Sequence, residues 1–180
     1  SGSGKETSLA DIAYHAHLRN KQFVVAGRSI PPNAPPWHAH AAEVEVDMAT
    51  GMVRVLKIAA AHDVGKAINP TIVEGQIEGG VVMGVGYATR EEITYDEKGR
   101  PYNDGFHKYM LPTADDIPEI DAILIESCDP TGPFGAKGVG ECGLVPTAAA
   151  IASAVEDAIG IRFTEIPLTP VRVLKGIKNS

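Results

Sequence analysis

Only two cysteines, Cys128 and Cys142, occur in the 180 residues. That is too few for a disulfide framework, they form no local metal-ligand cluster, and such usage fits a reducing compartment. Long apolar runs are missing too: the longest, over residues 81–88, is broken by glycine and far too short to span a bilayer. An excess of positive charge is absent, because Lys and Arg number 16 against 23 Asp and Glu, leaving a net charge of −7. That balance argues against a surface that tracks nucleic-acid phosphates. The first twenty residues carry His15, His17 and Arg19 where a secretion signal would need an apolar centre, so a cytoplasmic location is expected. No internal repeat is visible. A hydrophobic content of 44% is enough to build a proper core.

Glycine is plentiful, and it is concentrated over residues 132–143, which read GPFGAKGVGECG. Glycine costs backbone entropy and packs nothing, so this density suits main chain that bends sharply or approaches a partner closely. The plain alternative is a connecting loop whose glycines only turn corners. Residues 138–143 also match G-x-G-x-x-G ahead of a helix, the pattern of a dinucleotide-binding turn. Two features count against that reading. The preceding strand is expected to end near residue 127, about ten residues too early for that motif, and Glu141 would set a negative charge beside a pyrophosphate.

In chain order, a Ser-capped amphipathic helix is expected from residue 8, a strand over 22–26, and a linker over 31–36 containing Pro31, Pro32, Pro35 and Pro36. A hairpin follows, with Ala42, Val44 and Val46 on one face, a turn over 47–51 and a return strand to residue 61. Asn69-Pro70 starts a helix over 71–92 that holds Gly75, Gly79, Gly80, Gly84 and Gly86. Interior glycines cost roughly 0.5–1 kcal/mol each, which calls for close packing against another backbone or a bound group, or for a break near Gly84. A turn over 95–102, strands over 106–111 and 117–127, an Ala-rich helix over 146–159 covered on most faces, a strand over 161–166 and a helix over 169–178 complete an α+β (mixed α/β) fold.

Glu141, held among glycines, is a candidate general base; burial would raise its pKa, and a helix dipole or Lys137 would lower it. A helix-capping carboxylate is the plainer reading. Gln76, which can donate and accept, is flanked by small residues that leave room for a ligand, although a solvent-facing helix glutamine is the ordinary explanation. His38-Ala39-His40 puts two imidazoles on one strand face, but with no cysteine or carboxylate pair nearby in sequence no metal ligand is assigned. His62-Asp63 reads as a strand-end hydrogen bond. Cys142 has no local histidine to activate it as a nucleophile, though a distant one could.

AEVEVD at 42–47, HDVGKAINP at 62–70, EGQIEGG at 74–80, YMLPTADDIPEI at 109–120, GPFGAKGVGE at 132–141 and PLTPVRVL at 167–174 run in family order. Through them the chain resembles the C-terminal region of the molybdopterin-binding (molybdenum) subunit of the xanthine dehydrogenase and aldehyde oxidase family. The resemblance covers most of the chain from about residue 8. It implies an arm and linker over 1–36 and a molybdopterin-cofactor-binding C-terminal domain over 37–180. It also implies that Glu141 is the catalytic base of a molybdenum-dependent hydroxylation, that Gln76 contacts the cofactor near the metal, and that Lys137, Gly138, Val139 and Gly140 run along it. The implied cofactor is molybdopterin with molybdenum, as the cytosine dinucleotide, with electrons leaving through 2Fe-2S clusters and FAD. Those groups belong on other domains or subunits, since two cysteines cannot ligate a cluster that takes four. The implied partners are the remaining molybdenum-binding part, iron–sulfur and flavin subunits, and an aldehyde or N-heterocycle substrate, with no nucleic acid and no membrane. Many relatives have proline where this chain has Cys142. The chain alone is expected to be inactive; a non-catalytic docking module of a larger oxidoreductase is the alternative, and a dinucleotide-binding domain a weaker one.

Overall fold

The computed structural model describes residues 6–179 except 22, 25, 29, 31 and 32. The chain divides into two units, residues 1–31 and 32–180. In the first, helix α1 (Leu9–Leu18) starts where expected, with the Ser8 hydroxyl accepting the Asp11 amide hydrogen at 3.1 Å. The strand expected over 22–26 falls partly on residues outside the described set; residues 23, 24 and 26 are irregular.

The second unit is a three-stranded sheet in the order β1-β2-β3 with helices packed on it. Strands β1 (His38–Val46) and β2 (Val53–Asp63) form the expected antiparallel hairpin. Its turn is set by Asp47, whose carboxylate takes the Ala49 amide and the Thr50 hydroxyl, and by Gly51 at φ 74°. Along β1, Ala42, Val44 and Val46 turn toward the core while Glu43 and Glu45 face outward. Strand β3 (Glu119–Ile125) lies parallel to β2 on its other edge. A parallel pair needs a long crossover, and helix α2 (Pro70–Thr89) belongs to it.

Helix α2 starts at the Asn69 cap, with Pro70 in its first turn, and runs unbroken through Gly84. Its glycines divide by environment. A Cβ at Gly80 would come within 2.8 Å of the Gly143 backbone, and one at Gly84 within 2.4 Å of Thr147. At Gly75 and Gly79 an added Cβ would meet nothing within 4 Å. Close backbone approach therefore accounts for Gly80, and open space surrounds the other two.

Helix α3 (Thr147–Ile159) ends at Gly160, φ 72°, as expected. It buries Thr147, Ile151 and Val155 against β1 and α2, but Ala149, Ser153 and Asp157 are exposed, so one face is covered rather than most. Helix α4 (Pro170–Asn179) anchors through Val173. The core joins Ile58, Ile77, Val81, Ile151 and Val155, all fully buried.

Two expected strands are absent. Residues 106–111 form a turn in which the Lys108 and Tyr109 amides both bond the Gly105 carbonyl, and the Tyr109 hydroxyl donates to Glu91 at 2.8 Å. Residues 161–166 have no ladder partner; Phe163 packs instead against Gly176 of α4, so side-chain contact replaces strand pairing.

Candidate functional site

The glycine-rich loop is fastened at its near end by a carboxylate at the end of β2. Asp63 takes the Lys137 ammonium at 2.8 Å, the Ser127 hydroxyl at 2.7 Å and the Gly65 amide at 3.0 Å. The Lys137 ammonium beside it, helped by those other donors, holds the Asp63 pKa down at about 2. The side chains of Lys137 and Asp63 are only 8% and 13% exposed, so the pair is shielded from solvent. The Lys137 amide also donates to the Val64 carbonyl at 2.9 Å. The cation expected to act on Glu141 is thus committed to Asp63, a partner that sequence reasoning missed.

At the far end the loop rests on α2. A Cβ at Gly143 would lie 2.9 Å from the Ile77 carbonyl oxygen and 3.3 Å from the Gly80 Cα. Glu141 lies two residues before Gly143, and Gln76 one residue before Ile77, so the contact joins the chain segments that carry them. Both side chains are exposed, and among the described residues neither has a hydrogen-bond partner. Helix α3 has no side-chain cap and begins at Thr147, which removes the capping role for Glu141. Between the fastenings, Gly138, Gly140 and Glu141 are exposed and Val139 packs against the core. A Cβ at Gly138 or Gly140 would meet nothing within 4 Å. Among the described residues, the amides of 138–141 donate to no protein acceptor. A run of free N–H groups suits a polar ligand lying along the loop.

The outer face of α2 continues this surface. Ile72, Gly75, Gln76, Gly79, Met83 and Tyr87 recur at helical spacing and are all exposed. Val81 and Val85 are buried on the opposite side, so the helix carries apolar residues on both faces, with Gln76 and Glu78 as exposed polar exceptions. A cavity of about 570 Å³ lies near the other end of α2, lined by Val55, Val85, Arg90 and Asp116, and includes neither Gln76 nor Glu141.

Behind the loop the hairpin gathers histidines. The register sets His38 opposite His62, and His38 and His40 share one strand face as expected, the half-buried one. The strand-end hydrogen bonds expected of His62-Asp63 form through Asp63, while His62 Nε2 lies 2.7 Å from His40 Nε2. Burial, then the charges of His62 and His38, lower the His40 pKa to about 4. Cys142 is buried close by, which raises its thiol pKa and disfavours a nucleophilic thiolate.

The dinucleotide reading loses its context, because β3 ends at Ile125, well before Gly138, and no helix starts directly at the glycines. The site thus consists of a glycine loop seated on helix α2 beside a small mixed sheet. Residues 2–118 match the molybdopterin cofactor-binding domain family, and the chain belongs to it. It is 36% identical, over 96% of its length, to the 6-hydroxypseudooxynicotine dehydrogenase complex subunit gamma of Paenarthrobacter nicotinovorans, spanning 23% of that protein. It is 38% identical, over 99% of its length, to the probable hypoxanthine oxidase XdhD of Escherichia coli (strain K12), spanning 19% of it. Among solved structures, the aldehyde oxidoreductase of Desulfovibrio gigas superposes with a TM-score of 0.73 at 34% identity, over 79% of this chain and 15% of that one. The chain therefore spans about a fifth of the length of the curated relatives it matches. No helix among the described residues is long and apolar enough to cross a membrane.

Proposed function

We propose that this chain supplies one wall of the molybdopterin site of a molybdenum hydroxylase of the xanthine dehydrogenase and aldehyde oxidase type, with Glu141 as its catalytic base. The observation that supports the reading is the backbone contact of Gly143 with Ile77 and Gly80, which joins the chain segments that carry Glu141 and Gln76. The residues fit a bulky planar cofactor: four glycines (75, 79, 138 and 140) have open space where a Cβ would stand, and the neighbouring amides are free. When bound, the molybdenum cofactor supplies oxygen-transfer and redox chemistry.

This chain's residues prepare the site for it. Exposed Glu141 offers a carboxylate free of protein partners among the described residues, able to take a proton. Gln76 offers one amide that donates and accepts, suited to an oxygen close to the metal. The amides of residues 138–140 would hold the cofactor by hydrogen bonds, and the Lys137–Asp63 pair holds the loop in register without lending it a free charge. The outer face of α2, with Ile72, Met83 and Tyr87, is covered by the rest of the molybdenum-binding part.

The substrate is an aldehyde or an N-heterocycle, in keeping with the names of similar proteins, which include a nicotine 6-hydroxylase large subunit and a quinoline 2-oxidoreductase. The pterin carries a cytosine nucleotide, which mass spectrometry of the released cofactor tests. Electrons leave through 2Fe-2S clusters and FAD on other domains or subunits; one relative is itself named as part of a complex.

Gly79→Ala separates a cofactor wall from a plain helix surface. An added methyl there meets no protein atom, so the variant should be more stable by up to about 1 kcal/mol from helix propensity. The same methyl intrudes on the cofactor, so molybdenum and pterin recovered per full-length subunit should fall. A stabilised variant with a full cofactor load would remove Gly79 from the site.

A further inference from the structure

Beneath the glycine loop, the imidazoles of His38 and His62 and the thiol of Cys142 converge, each offering one donor atom within 4.8 Å of the other two. His62 is 1% exposed and Cys142 8%. The Nδ1 atoms of His38 and His62 are buried and have no hydrogen-bond partner. A buried polar atom without a partner is costly, and each such atom asks for an explanation.

The hydrogen bonds behind the cluster fix the chemistry of that orphaned nitrogen. The Thr147 hydroxyl donates to the Gly143 carbonyl at 2.9 Å, leaving its oxygen to accept from His40 Nδ1 at 3.1 Å. His40 Nε2 then carries a lone pair and accepts from His62 Nε2 at 2.7 Å. In this arrangement neutral His62 holds its proton on Nε2, and its Nδ1 is a bare lone pair facing no donor. Histidines that bind metals are oriented in this way, by a hydrogen bond from the ring nitrogen that does not ligate.

We infer that His38, His62 and Cys142 form a binding site for a borderline-soft divalent transition ion of the zinc type, separate from the molybdenum. Two imidazole nitrogens and one sulfur are a donor set that such an ion takes, with water in the fourth place. Bonds of about 2.0–2.3 Å require donors roughly 3.3–3.7 Å apart, so from separations within 4.8 Å the cluster closes by no more than about 1.5 Å on binding. Cys142 forms its sulfur–metal bond as its thiol proton leaves to solvent. His40 is a positioning residue that orients His62 and touches no metal. The ion would tie residue 142 to the ends of β1 and β2, and so fix the backbone immediately after Glu141.

The test uses the full-length subunit with its molybdenum cofactor, stripped of loosely held metal and titrated with Co²⁺. The wild type should bind one Co²⁺ per chain with a thiolate-to-cobalt charge-transfer band, displaced by Zn²⁺. Cys142→Ala and His38→Gln should lose the band, and His40→Gln should keep it with affinity lowered roughly 10–100-fold. Unchanged circular dichroism of the metal-free variants shows that folding is not the cause. No charge-transfer band in the wild type, or one that survives Cys142→Ala, overturns the inference. Because metal binding rather than turnover is read, the result stands whether or not Glu141 is the base.

Discussion

Glu141→Gln in the full-length subunit, assembled with its partners, should lower kcat by about 10²–10⁴-fold, the usual contribution of a positioned general base. That loss corresponds to roughly 3–5 kcal/mol of barrier. Molybdenum and pterin content should be unchanged, because the carboxylate has no hydrogen bond in the protein to lose and sits on the exposed side of the loop. The change swaps a proton acceptor for an amide of the same shape, so stability should also be unaffected. A docking module without chemistry predicts full activity in this variant, and a carboxylate needed only to hold the cofactor predicts loss of molybdenum. The three outcomes are distinct in one preparation.

The second large effect is expected at Gly80→Val. An added Cβ there comes within 2.8 Å of the Gly143 Cα and carbonyl carbon and 3.0 Å of the Leu144 nitrogen, all main-chain atoms that cannot swing aside. Either α2 moves from its core contacts at Ile77 and Val81, or the loop lifts from the helix. Overpacking of this kind costs about 2 kcal/mol, even after the helix propensity gained by removing a glycine. For a chain of this size that lowers Tm by roughly 4–8 °C. The kinetic effect should be as large as the thermal one. A displacement of about 1 Å in a catalytic group costs on the order of 10²-fold in rate, and Glu141 stands two residues before the displaced Gly143. Gly79→Ala, one position earlier and facing open space, is the internal control: it should stabilise the fold. A Gly80→Val variant with wild-type stability and rate would mean that the loop does not rest on α2 in solution.

Much of this fold could be read from local chemistry. The Ser8 and Asn69 caps, the Asp47 turn, Pro70 at a helix start and Gly160 at a helix end each leave a signature within four residues, and each element formed there. The misread segments, 106–111 and 161–166, are apolar runs whose state depends on whether a partner strand is at hand, which no local pattern encodes. In the first a tyrosine–glutamate bond and in the second the Phe163 contact on Gly176 is made instead.

The candidate site was legible in part for the same reason. An excess of glycine in α2 announced a close approach, but only the structure divides Gly80 and Gly84, which touch protein, from Gly75 and Gly79, which do not. The pairing of Lys137 with Asp63 spans 74 positions and could not be anticipated from either motif alone. The histidines were half visible. Hairpin register across the 47–51 turn sets residue 38 near 62, but a bulge between Glu43 and Val44 shifts the pairing, and Cys142 arrives from the far end of the chain.

The most direct test of the central claim is the structure of the full-length subunit with its molybdenum cofactor bound. It should show the pterin lying against Gly79 and the amides of residues 138–140, with the Gln76 amide and the Glu141 carboxylate on the same side of that cofactor, facing the metal. A cofactor lodged elsewhere, with Glu141 still open to bulk solvent or buried in a contact with another subunit, would contradict it.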